Sequence, residues 1–146
     1  MLDNHLAEHA DVATELALLH SAVWETLDPL LLDLARRQIA SILGCKPEED
    51  QHSLTAREAG LHQEMIDDVP HWHRSRHFDE RHRACLAFVE QFVMDVASVS
   101  DAQARVVAHH LGPRGLVDFA AAVLVLEQRL RLKLTWDRVF PNQESK

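Results

Sequence analysis

The chain has 146 residues, 15 Lys+Arg against 23 Asp+Glu for a formal net charge of −8, 47% hydrophobic residues, and only 4 Gly and 5 Pro. Apolar content this ordinary excludes disorder as the main state, and the acidic balance argues against a nucleic-acid partner, whose phosphates would be repelled. A chain of this length can bury one self-sufficient core but not two, so one domain over residues 1–146 is expected.

The first eleven residues are polar and acidic, with neither a basic start nor an apolar core, so no secretory signal is expected. His5 and His9, spaced i, i+4, read as surface residues. Val12, Leu16, Leu19 and Val23 step by 4, 3 and 4 and predict one face of a helix. Asp28-Pro29 predicts the cap and first position of a second helix, which carries Leu31, Leu34, Ile39 and Ile42 and ends at Gly44. Residues 46–60 are polar, with Pro47 placed to start a short helix. Residues 67–79 hold Pro70 and histidines flanking Trp72 without a clean period, which predicts a loop or broken helical turns. Asp79 predicts the cap of a long helix with two apolar rows, Leu86-Val89-Val93 and Cys85-Phe88-Phe92. Ser100-Asp101-Ala102-Gln103 fits a capping box, and Gly112-Pro113 should break and restart the helix that follows. Leu116, Phe119, Val123, Leu126 and Leu130 step by 3, 4, 3 and 4. Residues 129–134 alternate as a strand would, but no partner strand is in sight, so helix is expected there too. The longest apolar run, Phe119–Leu126, has eight residues, far short of the roughly 20 that span a membrane. The expected fold is all-α, with six or seven helices.

Two cysteines, Cys45 and Cys85, cannot make a disulfide framework, which points to a reducing, cytoplasmic setting. Around Cys45 the parts of a small site gather. If a helix starts near Lys46, Glu48 and His52 share one of its faces at i, i+4, with the Cys45 thiol at its N-terminus, where the dipole and Lys46 favour a thiolate. Gly44 lets the preceding helix fold back, so Asp33 can face the same space. A histidine can move a proton there and a carboxylate can orient it.

In this arrangement the sequence resembles the alkyl hydroperoxidase D-like, or carboxymuconolactone decarboxylase-like, superfamily. The redox members of that group carry Glu-x11-Cys-x2-Cys-x3-His, and here Asp33, Cys45, Glu48 and His52 stand at those four positions. Asp28-Pro29, Asp79-Glu80-Arg81 with Ala84-Cys85-Leu86-Ala87-Phe88, Val99-Ser100-Asp101 and Leu111-Gly112-Pro113 also follow its pattern, so the resemblance is strongest over residues 22–140. It implies an all-α fold, a pocket at the four motif positions, and self-association as a dimer, trimer or hexamer. The departures count as well. Asp33 is one methylene shorter than the usual Glu, and Glu48 replaces the second Cys. Disulfide chemistry needs two thiols with Cβ atoms about 4 Å apart, and a carboxylate beside Cys45 opposes thiolate formation. Two-thiol peroxidase activity is therefore not inherited, whereas the name-giving decarboxylases of the superfamily work without that thiol pair.

Three readings follow. The first is a lyase- or isomerase-type enzyme moving a proton on a small organic substrate, with His52 as acid or base and Glu48 and Asp33 as its partners. The second is a one-Cys peroxidase at Cys45, and the third a non-catalytic binding or scaffold protein. Asp33, Glu48 and His52 could ligate zinc, iron or manganese, and His71-x-His73-x3-His77 offers a second set. Neither has a recognised zinc spacing, so no metal or cofactor is assigned. The expected partners are an unidentified small molecule and further copies of the chain, with no nucleic acid and no membrane. His109-His110, Arg81-His82-Arg83 and the Arg129–Lys133 cluster read as solvated or ion-paired surface.

Overall fold

In the computed structural model, residues 10–139 are described; His5 and His9 lie outside them. Every regular element among the described residues is helical. The α-helices are α1 (Ala10–Thr26), α2 (Pro29–Leu43), α3 (Lys46–Glu49), α4 (Leu54–Glu58), α5 (Gln63–Asp68), α6 (Glu80–Met94) and α7 (Asp101–Val139), with 3-10 turns at Val69–Arg74 and Val96–Ser98. The 67–79 stretch is thus the predicted set of broken turns, and residues 129–134 are helix.

Local chemistry sets the helix ends where the sequence places them. Asp28 accepts from the Leu30 amide at 3.0 Å with Pro29 opening α2, and Gly44 closes it in the left-handed region at φ 73°. Asp79 caps α6 by accepting from the His82 amide at 2.8 Å. Ser100 and Gln103 form the reciprocal capping box of α7, at 3.1 and 3.0 Å. At Gly112 the backbone of α7 leaves helical geometry, at φ 80° and ψ 165°, and Pro113 restarts it. Few residues other than glycine tolerate that φ.

Helix α2 is the hub. All eleven residues from Leu30 to Ala40 are buried, so no side of the helix meets water. Leu31, Ala35 and Ile39 pack with Phe88, Val89 and Val93 of α6 and with Phe119, Val123, Leu126 and Leu130 of α7. Leu30 and Leu34 cover a second cluster with Ala56, Leu61, Met65, Val69, Trp72 and Phe78. Leu32 meets Val23 of α1 and Ala122 of α7. The row read on α1 is helical but only its last member is buried: Val12 and Leu19 are about half exposed, at 52% and 48%. Arg81 reaches Asp28 at 3.3 Å, tying the start of α6 to the cap of α2. Arg83 donates to the carbonyls of Trp72, His73, Ser75 and Phe78, gathering the irregular segment onto α6.

Candidate functional site

The site begins where α2 ends. With Gly44 left-handed, the Cys45 amide turns back to the Ala40 carbonyl at 2.8 Å, and Pro47 lies in the single turn of α3. The turn stops at Asp50, and Ser53, accepting from the Ala56 amide at 3.2 Å, starts α4. The helix expected to carry both Glu48 and His52 is therefore one turn long, and His52 lies in the link beyond it. Residues 48–53 run over α2, and two arginines of α2 hold them there.

Those arginines form a clasp on Asp33. The Asp33 carboxylate is fully buried and accepts from Arg36 Nη2 at 2.8 Å, Arg36 Nε at 3.2 Å and Arg37 Nε at 2.7 Å. The far ends of the same guanidiniums reach into the link. Arg36 donates to the Glu48 carbonyl, to Glu48 Oε2 at 3.3 Å and to the Gln51 carbonyl at 3.1 Å. Arg37 donates to the carbonyls of Glu49 at 2.6 Å and Gln51 at 2.5 Å. Asp33, Arg36, Arg37 and Glu48 are all buried, and their formal charges cancel. A charge-balanced, hydrogen-bonded set is the arrangement in which buried ions are tolerated. Asp33 thus meets Glu48 through Arg36 rather than by facing a common void. The clasp is legible in retrospect, since Arg36 and Arg37 follow Asp33 at i+3 and i+4, on the same helix face.

Next to this clasp opens a cleft of about 570 Å³. Its walls come from His20 and Trp24 of α1, Pro29 and Arg36 of α2, Glu48, Gln51 and His52 of the link, and Leu126, Arg129, Leu130 and Lys133 of α7. Of the four residues singled out from the sequence, Glu48 and His52 line it and Asp33 and Cys45 do not. Glu48 is buried, whereas His52 is exposed and its Nδ1 lies 2.9 Å from Arg57 Nη2. A guanidinium only donates, so Nδ1 accepts and Nε2 carries the ring proton.

Cys45 is 1% exposed. Burial pushes its thiol up; the Glu48 amide and the Lys133 ammonium pull the other way, and the charges of Glu48 and Asp137 add to the rise. Burial thus opposes the thiolate that the helix N-terminus and Lys46 would favour, and the Glu48 carboxylate opposes it too, as its position in the sequence implies. Cys85 is buried in the core on α6, its thiol pushed up by burial to about 12, and both cysteines are free.

Lys133, read from sequence as part of a surface cluster, is 3% exposed, with Nζ 3.1 Å from Asp137 Oδ2. The signal was in the spacing: the row Phe119, Val123, Leu126, Leu130 continues by 3 to Lys133 and by 4 to Asp137. Arg131, by contrast, is exposed and paired with Glu127 at 2.9 Å, as a surface residue should be. No group of three or more His, Cys, Asp or Glu side chains is gathered as a metal site among the described residues. Asp33 spends its oxygens on the two arginines, while His73 pairs with Glu90 at 3.2 Å and His77 approaches Asp68 at 3.9 Å. Neither proposed ligand set converges.

Comparison with known proteins follows this geometry. The Carboxymuconolactone decarboxylase family model matches residues 12–91, a span that includes most of α1, all of α2, the clasp and most of α6. The chain belongs to the carboxymuconolactone decarboxylase family. Within the family fold, a crystal structure of a protein of unknown function from Agrobacterium tumefaciens, provisionally described as an antioxidant defence protein AhpD, superposes with a TM-score of 0.78. The match covers 96% of this chain and 94% of that one at 18% identity, so it carries the fold. No curated protein matches the sequence. No helix among the described residues is long and apolar enough to cross a membrane.

Proposed function

We propose that this member of the carboxymuconolactone decarboxylase family is a small-molecule enzyme of the lyase or isomerase type, with Glu48 as the group that moves a proton. The observation that carries this reading is the placement of Glu48 in the wall of the cleft, with Arg36 Nη1 3.3 Å from Oε2. Arg36 fixes the direction of the carboxylate, and the apolar wall of Leu126, Leu130 and Trp24 seats an organic substrate beside it. As base, Glu48 takes a proton from the substrate and returns it to another atom. In a decarboxylation, a proton that Glu48 has taken up from solvent goes to the carbon left with an electron pair when the C–CO₂⁻ bond breaks, which returns the carboxylate to its ion pair with Arg36. His52, exposed at the edge of the cleft, is placed for that exchange. Asp33 acts through Arg36 and Arg37 as a positioning residue.

The one-Cys peroxidase reading has less support, because Cys45 is buried, lies off the cleft, and has its thiol pushed up. Self-association belongs to the favoured reading and is supported by exposed apolar side chains at Leu18 and Leu19 of α1 and Val117 and Leu124 of α7. The test is turnover of a panel of carboxylated lactones, the compound class in the family name, by wild type, Glu48→Gln and Cys45→Ser. Proton transfer by Glu48 predicts loss in the first variant and retention in the second. Consumption of hydrogen peroxide with a thiol reductant, abolished in Cys45→Ser, would reverse the assignment.

A further inference from the structure

The clasp takes up Arg36 of the cleft wall and leaves Arg129 and Lys133 without a place in the chemistry so far. Lys133 lines the cleft, yet it is 3% exposed and sits at the end of the apolar row that forms the core-facing side of α7. A buried ammonium carries a desolvation cost that surface lysines avoid, and Asp137, one turn on at 3.1 Å, partly offsets it. Position matters as much as charge. The Cys45 thiol senses Lys133, Glu48 and Asp137 together, which puts the ammonium and the Glu48 carboxylate in one electrostatic neighbourhood. Leu126 and Leu130 line the same cleft and give it an apolar wall. The chain carries −8 overall, yet among the described residues the cleft wall holds Arg36, Arg129 and Lys133 together with the carboxylate of Glu48.

We propose that Lys133 is the specificity-determining residue of the cleft, pairing with the carboxylate of a small organic anion whose apolar body lies on Leu126, Leu130 and Trp24. This deepens the reading given above and rests on it for the cleft being the working site. In that pose the anion end is held at Lys133 while the carbon skeleton is presented to Glu48. Arg36 is held by Asp33, Glu48 and the link carbonyls, and Arg129 is less buried than Lys133, so the cleft cation in the lowest dielectric, where an ion pair discriminates most, is Lys133. Asp137 is then both a partner of Lys133 and a group with which a ligand carboxylate competes.

The experiment is an equilibrium titration by ligand-observed NMR with 2-naphthoate and its neutral isostere 2-naphthamide, on wild type, Lys133→Met, Lys133→Arg and Asp137→Asn. Wild type is expected to prefer the anion by about tenfold, the order of one good ion pair in a partly buried site. Lys133→Met should abolish that preference while binding the amide as before, and Lys133→Arg should keep it. Asp137→Asn, by removing the competitor, should tighten naphthoate by roughly threefold. The unchanged amide affinity of Lys133→Met reports an intact cleft; should that variant fail to fold, Lys133→Arg and Asp137→Asn carry the test. Equal affinity for the two probes in wild type, no binding of either below about 10 mM, or an anion preference that survives Lys133→Met would each overturn the proposal. None of these results touches the proton-transfer reading, which stands or falls on turnover by Glu48→Gln.

Discussion

Asp33→Asn tests how the site is held together. The substitution keeps the shape of the side chain but removes the charge that two buried guanidiniums share, across contacts of 2.7, 2.8 and 3.2 Å. Three charge-assisted hydrogen bonds at about 1.5–3 kcal/mol each set an upper bound near 9 kcal/mol. The asparagine amide recovers part of that, and removing one partner of a buried ion pair typically costs about 3–5 kcal/mol. We therefore expect about 4 kcal/mol, a large fraction of the roughly 5–15 kcal/mol a domain has. In heat this is a fall in Tm of roughly 8–16 °C for a chain of this size. Urea denaturation followed by circular dichroism measures it directly. Arg37→Met in the same background should cost less than the sum of the single changes, with a coupling of at least about 1 kcal/mol. A loss under about 1 kcal/mol, or a stable Asp33→Asn that has lost turnover, would refute the clasp and return Asp33 to proton transfer.

Other predictions follow from the same geometry. Burial pushes the Cys85 thiol up to about 12 from an ordinary value near 9, so its neutral form is favoured by folding. The stability this gives is fully present below about pH 9 and is lost as pH rises toward about 12; urea midpoints should fall over that window more steeply in wild type than in Cys85→Ala. Burial lowers His82 despite the pull of Asp79, and its Nδ1 accepts from the Asp79 amide at 3.4 Å in the α6 capping box. Stability from His82 is therefore present above its ordinary value of 6.5 and lost as pH falls below it. His82→Gln, which can cap without titrating, should flatten that part of the pH profile. Arg83→Lys should cost about 2 kcal/mol in urea, because an ammonium cannot span the four carbonyls the guanidinium serves. Native Cys45 should react with a disulfide probe at neutral pH only as fast as the chain opens, and fast labelling would contradict its burial.

Much of the fold could be read from the sequence because its signals are local. Asp28-Pro29, Gly44, Asp79, the Ser100–Gln103 box and Gly112-Pro113 act through backbone geometry within a turn of themselves, and each did what its chemistry dictates. The candidate site was less legible for three physical reasons. Leu30 to Ala40 of α2 are buried all round, so the i+3 and i+4 spacing of Arg36 and Arg37 from Asp33 shows a shared face but not that this face is turned inward. The helix from Lys46 was expected to run on, but Glu48, Glu49 and Gln51 give their carbonyls to the arginines of α2, and the chain leaves helical geometry after one turn. Lys133 was grouped with its charged neighbours Arg129 and Arg131, although the apolar row that precedes it already pointed to burial. Family resemblance points to Asp33, Cys45, Glu48 and His52, while which of them share a cleft is decided by contacts between distant elements.

On the proposed reading Glu48, held by Arg36 at the wall of the cleft, moves the proton. This is tested by kcat/KM of Glu48→Gln on a turned-over carboxylated lactone, with Tm recorded on the same sample. The expected result is a fall of roughly 10²–10⁴-fold with the cleft still binding ligand. A kcat/KM within a few-fold of wild type would contradict it.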